Sequence, residues 1–219
     1  MTMLLEAIDY IGRNPHVFLL ALSTHLKLSI AAVALGAIIA VPAGLLLSGR
    51  PALAALAINL SGTLRALPSL AILALMLPLL GTGFAPSLVA LIVYAVPPIL
   101  INTYVGVRQI DPEIIDAANG MGLTRLQVVR KVQVPLALPV IFAGLRTAAV
   151  QVVAGATLAA FIGGGGLGDF ITAGIAIMDF SRLLVGAVPV ALLAIATELG
   201  FSIFERLLAG GHRPGKATA

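Results

Sequence analysis

The chain has 219 residues, of which 60% are hydrophobic and 10% charged, with a mean hydropathy of +1.11. A composition this apolar excludes a soluble domain of this size and marks an integral membrane protein. The absence of cysteine excludes disulfides and thiolate metal sites, and the net charge of +4 sits on basic residues flanking apolar runs, which points to membrane orientation and not to nucleic acid.

The first 27 residues read as an extracytoplasmic or interfacial segment. Glu6 and Asp9 occupy the place of a positive n-region, so the segment is expected to stay on the protein and not to act as a cleaved signal peptide. Leu4, Leu5, Ile8 and Ile11 recur at helical spacing and predict an amphipathic helix lying in the interface.

A crossing helix needs about 20 mostly apolar residues. Leu28 to Gly49 is free of charge and predicts the first span, kinked by Pro42; Ala32, Gly36, Ala40 and Gly44 form a small-residue ladder suited to close helix packing. No charged residue occurs from Ala66 to Val107, a stretch too long for one span and right for two, with residues 80 to 87 as the turn between them. The second span enters at Arg65 to Ser69, with Arg65 snorkelling to the headgroups, and the third leaves at Val107 and Arg108. The fourth runs from Thr147 to Gly168, its start extended back to about Leu138, and the fifth from Leu183 to Phe204. Within the fifth, Glu198 is expected to pair near the interface, close to Glu205 and Arg206. The reading is an all-α membrane protein in one domain, residues 1 to 219, with about five transmembrane helices; six are possible if Val17 to Leu26 helps form another crossing. Of the 13 lysines and arginines only Arg13, Lys27 and Arg182 fall on the side opposite the charged insert at 111 to 135, which predicts an amino terminus outside and a cytoplasmic insert and tail, residues 207 to 219.

Chemistry-bearing motifs are missing. There is no G-x-x-x-x-G-K-[ST] loop and no H-E-x-x-H, and His16, His25 and His212 lack metal-ligand spacing, so neither a catalytic residue nor a metal site is expected. The run Gly163, Gly164, Gly165 and Gly166 has no preceding strand and no lysine; it reads as a flexible turn, or as an extracytoplasmic gate where backbone comes close to backbone. Uncharged polar residues within spans, Ser69, Tyr94, Asn102, Gln151 and Thr157, are candidates for a substrate path or for helix-to-helix hydrogen bonds. Pro68, Pro97 and Pro98 break helices and bare carbonyls, suiting a cation path or simple kinks.

The insert carries the strongest local signals. Asp111 is an N-cap and Pro112 fits the first helical position; Gly120 and Gly122 can end that helix. Thr124 with Gln127 reads as a capping box opening a second short helix, which Pro135 is expected to stop. Short side chains at Ala117, Ala118 and Gly122 leave a shallow face over which a cleft on another protein can close, and a long insert with two capped helices is uncommon unless it does something.

This spacing resembles the EAA signature of ABC-importer permeases, E-A-A-x3-G-x9-I-x-L-P, with Asp116 for the glutamate, Val132 for the isoleucine and Val134 for the leucine. Residues 64 to 73 (LRALPSLAIL), 97 to 106 (PPILINTYVG), 143 to 150 (AGLRTAAV) and 157 to 171 (TLAAFIGGGGLGDFI) are similar to permeases of quaternary-amine importers for glycine betaine, choline and carnitine. The resemblance implies the ABC type I importer permease fold, with residues 111 to 131 as a coupling helix and Asp116, Ala117, Ala118, Gly120, Gly122, Arg125 and Pro135 at or near the ATPase contact. It implies a second permease subunit, separate ABC ATPase subunits holding ATP and magnesium, an extracytoplasmic binding protein, and no cofactor on this chain. Competing expectations are an importer of an amino acid such as methionine, an ion-coupled secondary transporter or channel, and a membrane scaffold without transport.

Overall fold

The computed structural model describes residues 2–66 and 68–209. The expectations placed on His212, Arg213, Lys216 and the end of the tail lie outside the described residues, as do those on the side chains of Arg65 and Arg206. Ten α-helices follow one another among the described residues: α1 (Thr2–Arg13), α2 (Pro15–Ser48), α3 (Pro51–Ala66), α4 (Ser69–Leu80), α5 (Phe84–Arg108), α6 (Pro112–Gly120), α7 (Arg125–Val128), α8 (Val134–Gly155), α9 (Gly168–Ala176) and α10 (Phe180–Ala209). A π turn, Val129–Gln133, joins α7 to α8, and a 3-10 segment, Ala156–Ile162, follows α8.

Among the described residues, four helical stretches are long and apolar enough to cross a membrane: Pro15–Ser48, Phe84–Arg108, Arg125–Ile162 and Phe180–Glu205. A fifth is possible only as a bent pair, Pro51–Leu64 with Ser69–Leu80, whose axes meet at 96°. The second predicted span is therefore not one straight helix. Pro68 stands extended at φ −57° and ψ 131°, having no N–H to continue a helix, and α4 with its 12 residues rises only about 18 Å, short of a hydrocarbon core of about 30 Å. The first span is longer than its charge-free window. α2 begins at Pro15 and runs unbroken through Pro42, so Val17 to Leu26 extends this helix and forms no separate crossing.

The core forms where α2, α5 and α8 meet, and Leu28, Ala32, Ala40, Leu91, Ala95, Ile99, Ala148, Val152 and Ala156 fill it. The small-residue ladder makes this approach possible. Ala32, Gly36, Ala40 and Gly44 are all buried; a Cβ built on Gly36 would stand 3.0 Å from Ala95 Cβ, and one on Gly44 2.7 Å from Thr103 Cβ. From α8 the contact is returned by Gly144, where a Cβ would come 2.7 Å from Asn102 Cβ. Without a hydrophobic drive between helices in lipid, such backbone-close seams carry the packing.

A second cluster joins α1 to α9 and α10 through Ala7, Leu167, Phe170, Val185 and Val190. The predicted apolar face of α1 divides there. Ile11 packs on this cluster beside Tyr10, which meets Phe170 edge-on at 6.0 Å, while Leu4, Leu5 and Ile8 stay exposed. Glu6 also accepts a hydrogen bond from Ser181 at the start of α10. The amino-terminal helix is thus docked on the bundle, with its remaining apolar side free for the interface.

Candidate functional site

The insert folds as its local signals require. Asp111 Oδ1 accepts from the Glu113 N–H at 2.9 Å, Pro112 opens α6, and the helix runs to Gly120. The chain then turns through Gly122 at φ +80°, a left-handed conformation that suits a residue without a Cβ. Thr124 and Gln127 form the capping box: the Thr124 N–H donates to Gln127 Oε1 at 2.8 Å and the Gln127 N–H to Thr124 Oγ1 at 3.4 Å.

Pro135 does not stop this second helix. Thr124 opens α7, the π turn of Val129–Gln133 carries it on, and Pro135 follows directly as the second residue of α8, its missing N–H falling beside the irregular π turn and not ending the helix. The fourth span therefore begins well before Leu138. Its α-helical part ends at Gly155, the remainder to Ile162 tightening into the 3-10 segment.

Within the insert, Ala118 is buried at 2%, whereas Asp116, Ala117, Gly120, Gly122, Arg125 and Pro135 are exposed. Asp116 lines a cleft of about 300 Å³ between α6 and the ends of α2 and α5, together with Ser48, Arg108, Ile115 and Gln133. Three apolar side chains that the sequence reading passed over stand out among these polar ones: Ile114, Met121 and Leu126 are 45%, 73% and 60% exposed. The available signal was large apolar residues inside a charged insert. They give the segment an apolar surface turned away from its own bundle, the kind of surface a partner covers.

The predicted path residues do not gather into one cavity. Ser69 and Tyr94 share a tight cleft with Gly155, Ile72 and Leu91. Pro97 and Pro98 are fully buried. Asn102 donates to the Pro98 carbonyl of its own helix at 2.8 Å and packs on Gly144. Gln151 is half-buried on α8, and Thr157 Oγ1 donates to the Ala154 carbonyl at 2.7 Å. None of them lines the cleft of about 670 Å³ between α2, α8 and α10, whose walls include Ile30, Val33, Ala149, Phe201 and Phe204.

At the far end of the bundle from the insert, the glycine run forms a strap. Gly163, Gly165 and Gly166 have φ of +74°, +74° and +99°. Gly164 and Gly166 are buried, and the strap lies between Ser87 at the start of α5 and Thr24 and His25 of α2. The Gly83 N–H donates to the Ile162 carbonyl at 2.7 Å, tying the turn before α5 to it. Just beyond, a Cβ on Gly168 would overlap the Thr157 carbonyl and one on Gly186 the Leu167 carbonyl. The strap therefore lies close against the backbone and side chains of its neighbours. Partial desolvation raises the carboxyl pKa of Asp169, which stands exposed on the strap's rim, above its ordinary value of 3.8.

Glu198 is paired, but across helices. Arg146 of α8 lies 3.6 Å from Glu198 and 3.1 Å from Glu205, so one guanidinium links both acids of α10 to α8. The sequence reading looked along α10 for the partner because neighbours on one helix can be counted, whereas the approach of α8 cannot.

Residues 32–210 match the family described as binding-protein-dependent transport system inner membrane component. The chain is 43% identical over 198 residues to the carnitine transport permease protein OpuCB of Listeria monocytogenes, covering 90% of this chain and 91% of that protein. It is 42% identical over 201 residues to the choline transport system permease protein OpuBB of Bacillus subtilis, covering 92% and 93%. Its fold is similar to an inward-facing structure of the MetNI methionine ABC transporter, with a TM-score of 0.79 at 24% identity over 88% of this chain and 96% of that one.

Proposed function

This chain belongs to the binding-protein-dependent transport system inner membrane components, and from that membership we propose that it is the permease subunit of an ATP-driven importer of a quaternary-amine osmoprotectant of the glycine betaine, choline or carnitine type. The observation that carries the cargo class is the identity above 40% to a carnitine and a choline permease over nine-tenths of each chain. The methionine transporter is similar in fold alone, and its cargo carries no weight here.

As a membrane permease the chain is a transport component. In our reading ATP and magnesium are held by separate ABC ATPase subunits, and this chain binds no cofactor. A second permease subunit, identical or a sister chain, completes the pore, and a binding protein brings the cargo from outside. The insert faces the cytoplasm and the glycine strap faces out, in keeping with the basic residues concentrated on the insert's side.

The mechanism is mechanical. Closure of the ATPase subunits on ATP moves the coupling segment, residues 111 to 131, gripped at Asp116, Ala117 and Gly122 with Ala118, Gly120, Arg125 and Pro135 around them. The π turn and α8 form one continuous helical path from α7, so displacement of the segment is transmitted along α8 toward the strap. Gly163 to Gly166 act there as the outer gate, and the cargo passes between paired permeases, with Pro68, Ser69, Tyr94, Pro97, Asn102, Gln151 and Thr157 as the path candidates. Two states differing in their affinity for nucleotide and for the loaded binding protein suffice to drive the cycle.

Reconstituting the chain with its ATPase and binding protein in liposomes tests this reading. ATP-dependent uptake of glycine betaine, choline or carnitine is the expected result. Uptake of methionine instead, or uptake driven by an ion gradient without the ATPase, would overturn it.

A further inference from the structure

Among the described residues, His25 is an ionisable side chain with no exposed surface at all. Its Nε2 lies 3.0 Å from the Val153 carbonyl oxygen. A carbonyl only accepts, so Nε2 carries the proton and donates, which leaves Nδ1 of the neutral ring as an acceptor. That acceptor has no partner. Buried polar atoms without partners are uncommon enough to ask what each is for.

The answer lies in what Nδ1 faces. A Cβ built on Gly166 would come within 3.3 Å of Nδ1, and one on Gly165 within 3.3 Å of Thr24 Cγ2, so the strap lies directly on this turn of α2. The Gly163 and Gly164 N–H groups are engaged by the Ala160 and Ala159 carbonyls. Those of Gly165, Gly166 and Leu167 donate to no backbone carbonyl among the described residues. An acceptor without a donor thus sits beside donors without acceptors, on a segment in which Gly163, Gly165 and Gly166 hold left-handed φ and rotate at little steric cost. Val153 itself lies just before α8 tightens at Ala156 into the 3-10 segment that leads to the strap.

We propose that His25 is a positioning residue of the outer gate: the imidazole ties α2 to α8 through Nε2, and its Nδ1 takes an N–H of the glycine strap when the strap shifts from its present setting. The ring then makes strap and α8 respond together, so that motion arriving along α8 reaches the gate and not the membrane-facing side of the bundle. This rests on the reading of Gly163 to Gly166 as the gate.

The chain has no cysteine, so Asp169→Cys on the exposed rim of the strap provides one labelling site. Two quantities are measured on the full complex with ATPase and binding protein: the rate of labelling by a membrane-impermeant maleimide, and the ratio of binding-protein-stimulated to basal ATP hydrolysis. His25→Leu is expected to speed labelling and to lower that ratio, each by about fivefold, the factor that one hydrogen bond of ordinary strength represents. His25→Gln, whose amide keeps an N–H near the Nε2 position but places no acceptor at that of Nδ1, is expected to restore the tie to Val153 and yet leave both quantities well short of the parent, and His25→Asn, too short to reach Val153, is expected to match the Leu variant. Parent-like labelling and ratio in His25→Leu would overturn the proposal. So would full recovery of both quantities in His25→Gln, which would make the Nδ1 acceptor dispensable and decides the matter if the Leu variant does not assemble. Should the parent complex import no osmoprotectant, the functional reading fails, while the labelling comparison still decides the role of His25.

Discussion

Gly122 sits at φ +80° with no atom within 4 Å of the place where a Cβ would stand. A side chain there meets nothing in its own chain, and the internal cost is the left-handed backbone alone, about 1–2 kcal/mol. Gly122→Leu is therefore expected to leave the protein folded and inserted while blocking the seat of a partner. In proteoliposomes it should abolish uptake while ATP hydrolysis continues uncoupled, and full uptake in this variant would remove Gly122 from the docking surface. At this scale much of the insert was legible. Caps and capping boxes are satisfied within a few residues, so Asp111, Thr124 and Gln127 could be placed by spacing. Long-range partners were not: the link from Arg146 to Glu198 and Glu205, and that from His25 to Val153, depend on which helices approach one another.

The seam between α2 and α5 is the element on which the bundle rests, because a ladder of small residues brings two backbones together. Gly44→Val tests it. Its first added carbon would stand 2.7 Å from Thr103 Cβ and 3.1 Å from the Leu100 carbonyl, so one helix must move. Overpacking of this kind costs about 1–3 kcal/mol and should appear as a lowered melting temperature in detergent, whereas Gly12→Ala in α1, with nothing within 4 Å, should show no such loss. A Gly44→Val protein as stable as the parent would mean that the seam tolerates separation. The ladder itself was readable from its four-residue spacing. The break between α3 and α4 was less so: Pro68 signalled a helix boundary, but a charge-free run gives no hint that the axis turns by 96°.

For the molecule as a whole, the number of crossings decides where the termini lie. α2 and α5 run the same way, both from the strap to the insert, so the bent pair α3 and α4 carries the chain back between them, a fifth crossing that puts the two ends of the chain on opposite sides. The basic residues favour opposite sides, with the amino terminus outside. Topology reporters fused to residue 1 and to residue 219 are expected to report outside and cytoplasm respectively. Two signals from the same side would contradict the parallel run of α2 and α5, and a cytoplasmic signal at residue 1 would withdraw the outward placement of α1 and the strap.

Composition alone determined that this chain lives in a membrane, since 60% hydrophobic residues with 10% charged leave no polar surface for a soluble domain of this size. Local spacing determined the capped insert and the small-residue ladder, because helical caps and faces are set by residues a few positions apart. Only the tertiary structure decided what depends on distant segments meeting. It divided α1 between bundle and interface, carried α7 through a π turn into α8, paired Arg146 with two acids, and laid the glycine strap against His25. Each of these joins residues far apart in the chain, and no local preference specifies such a meeting before the helices pack.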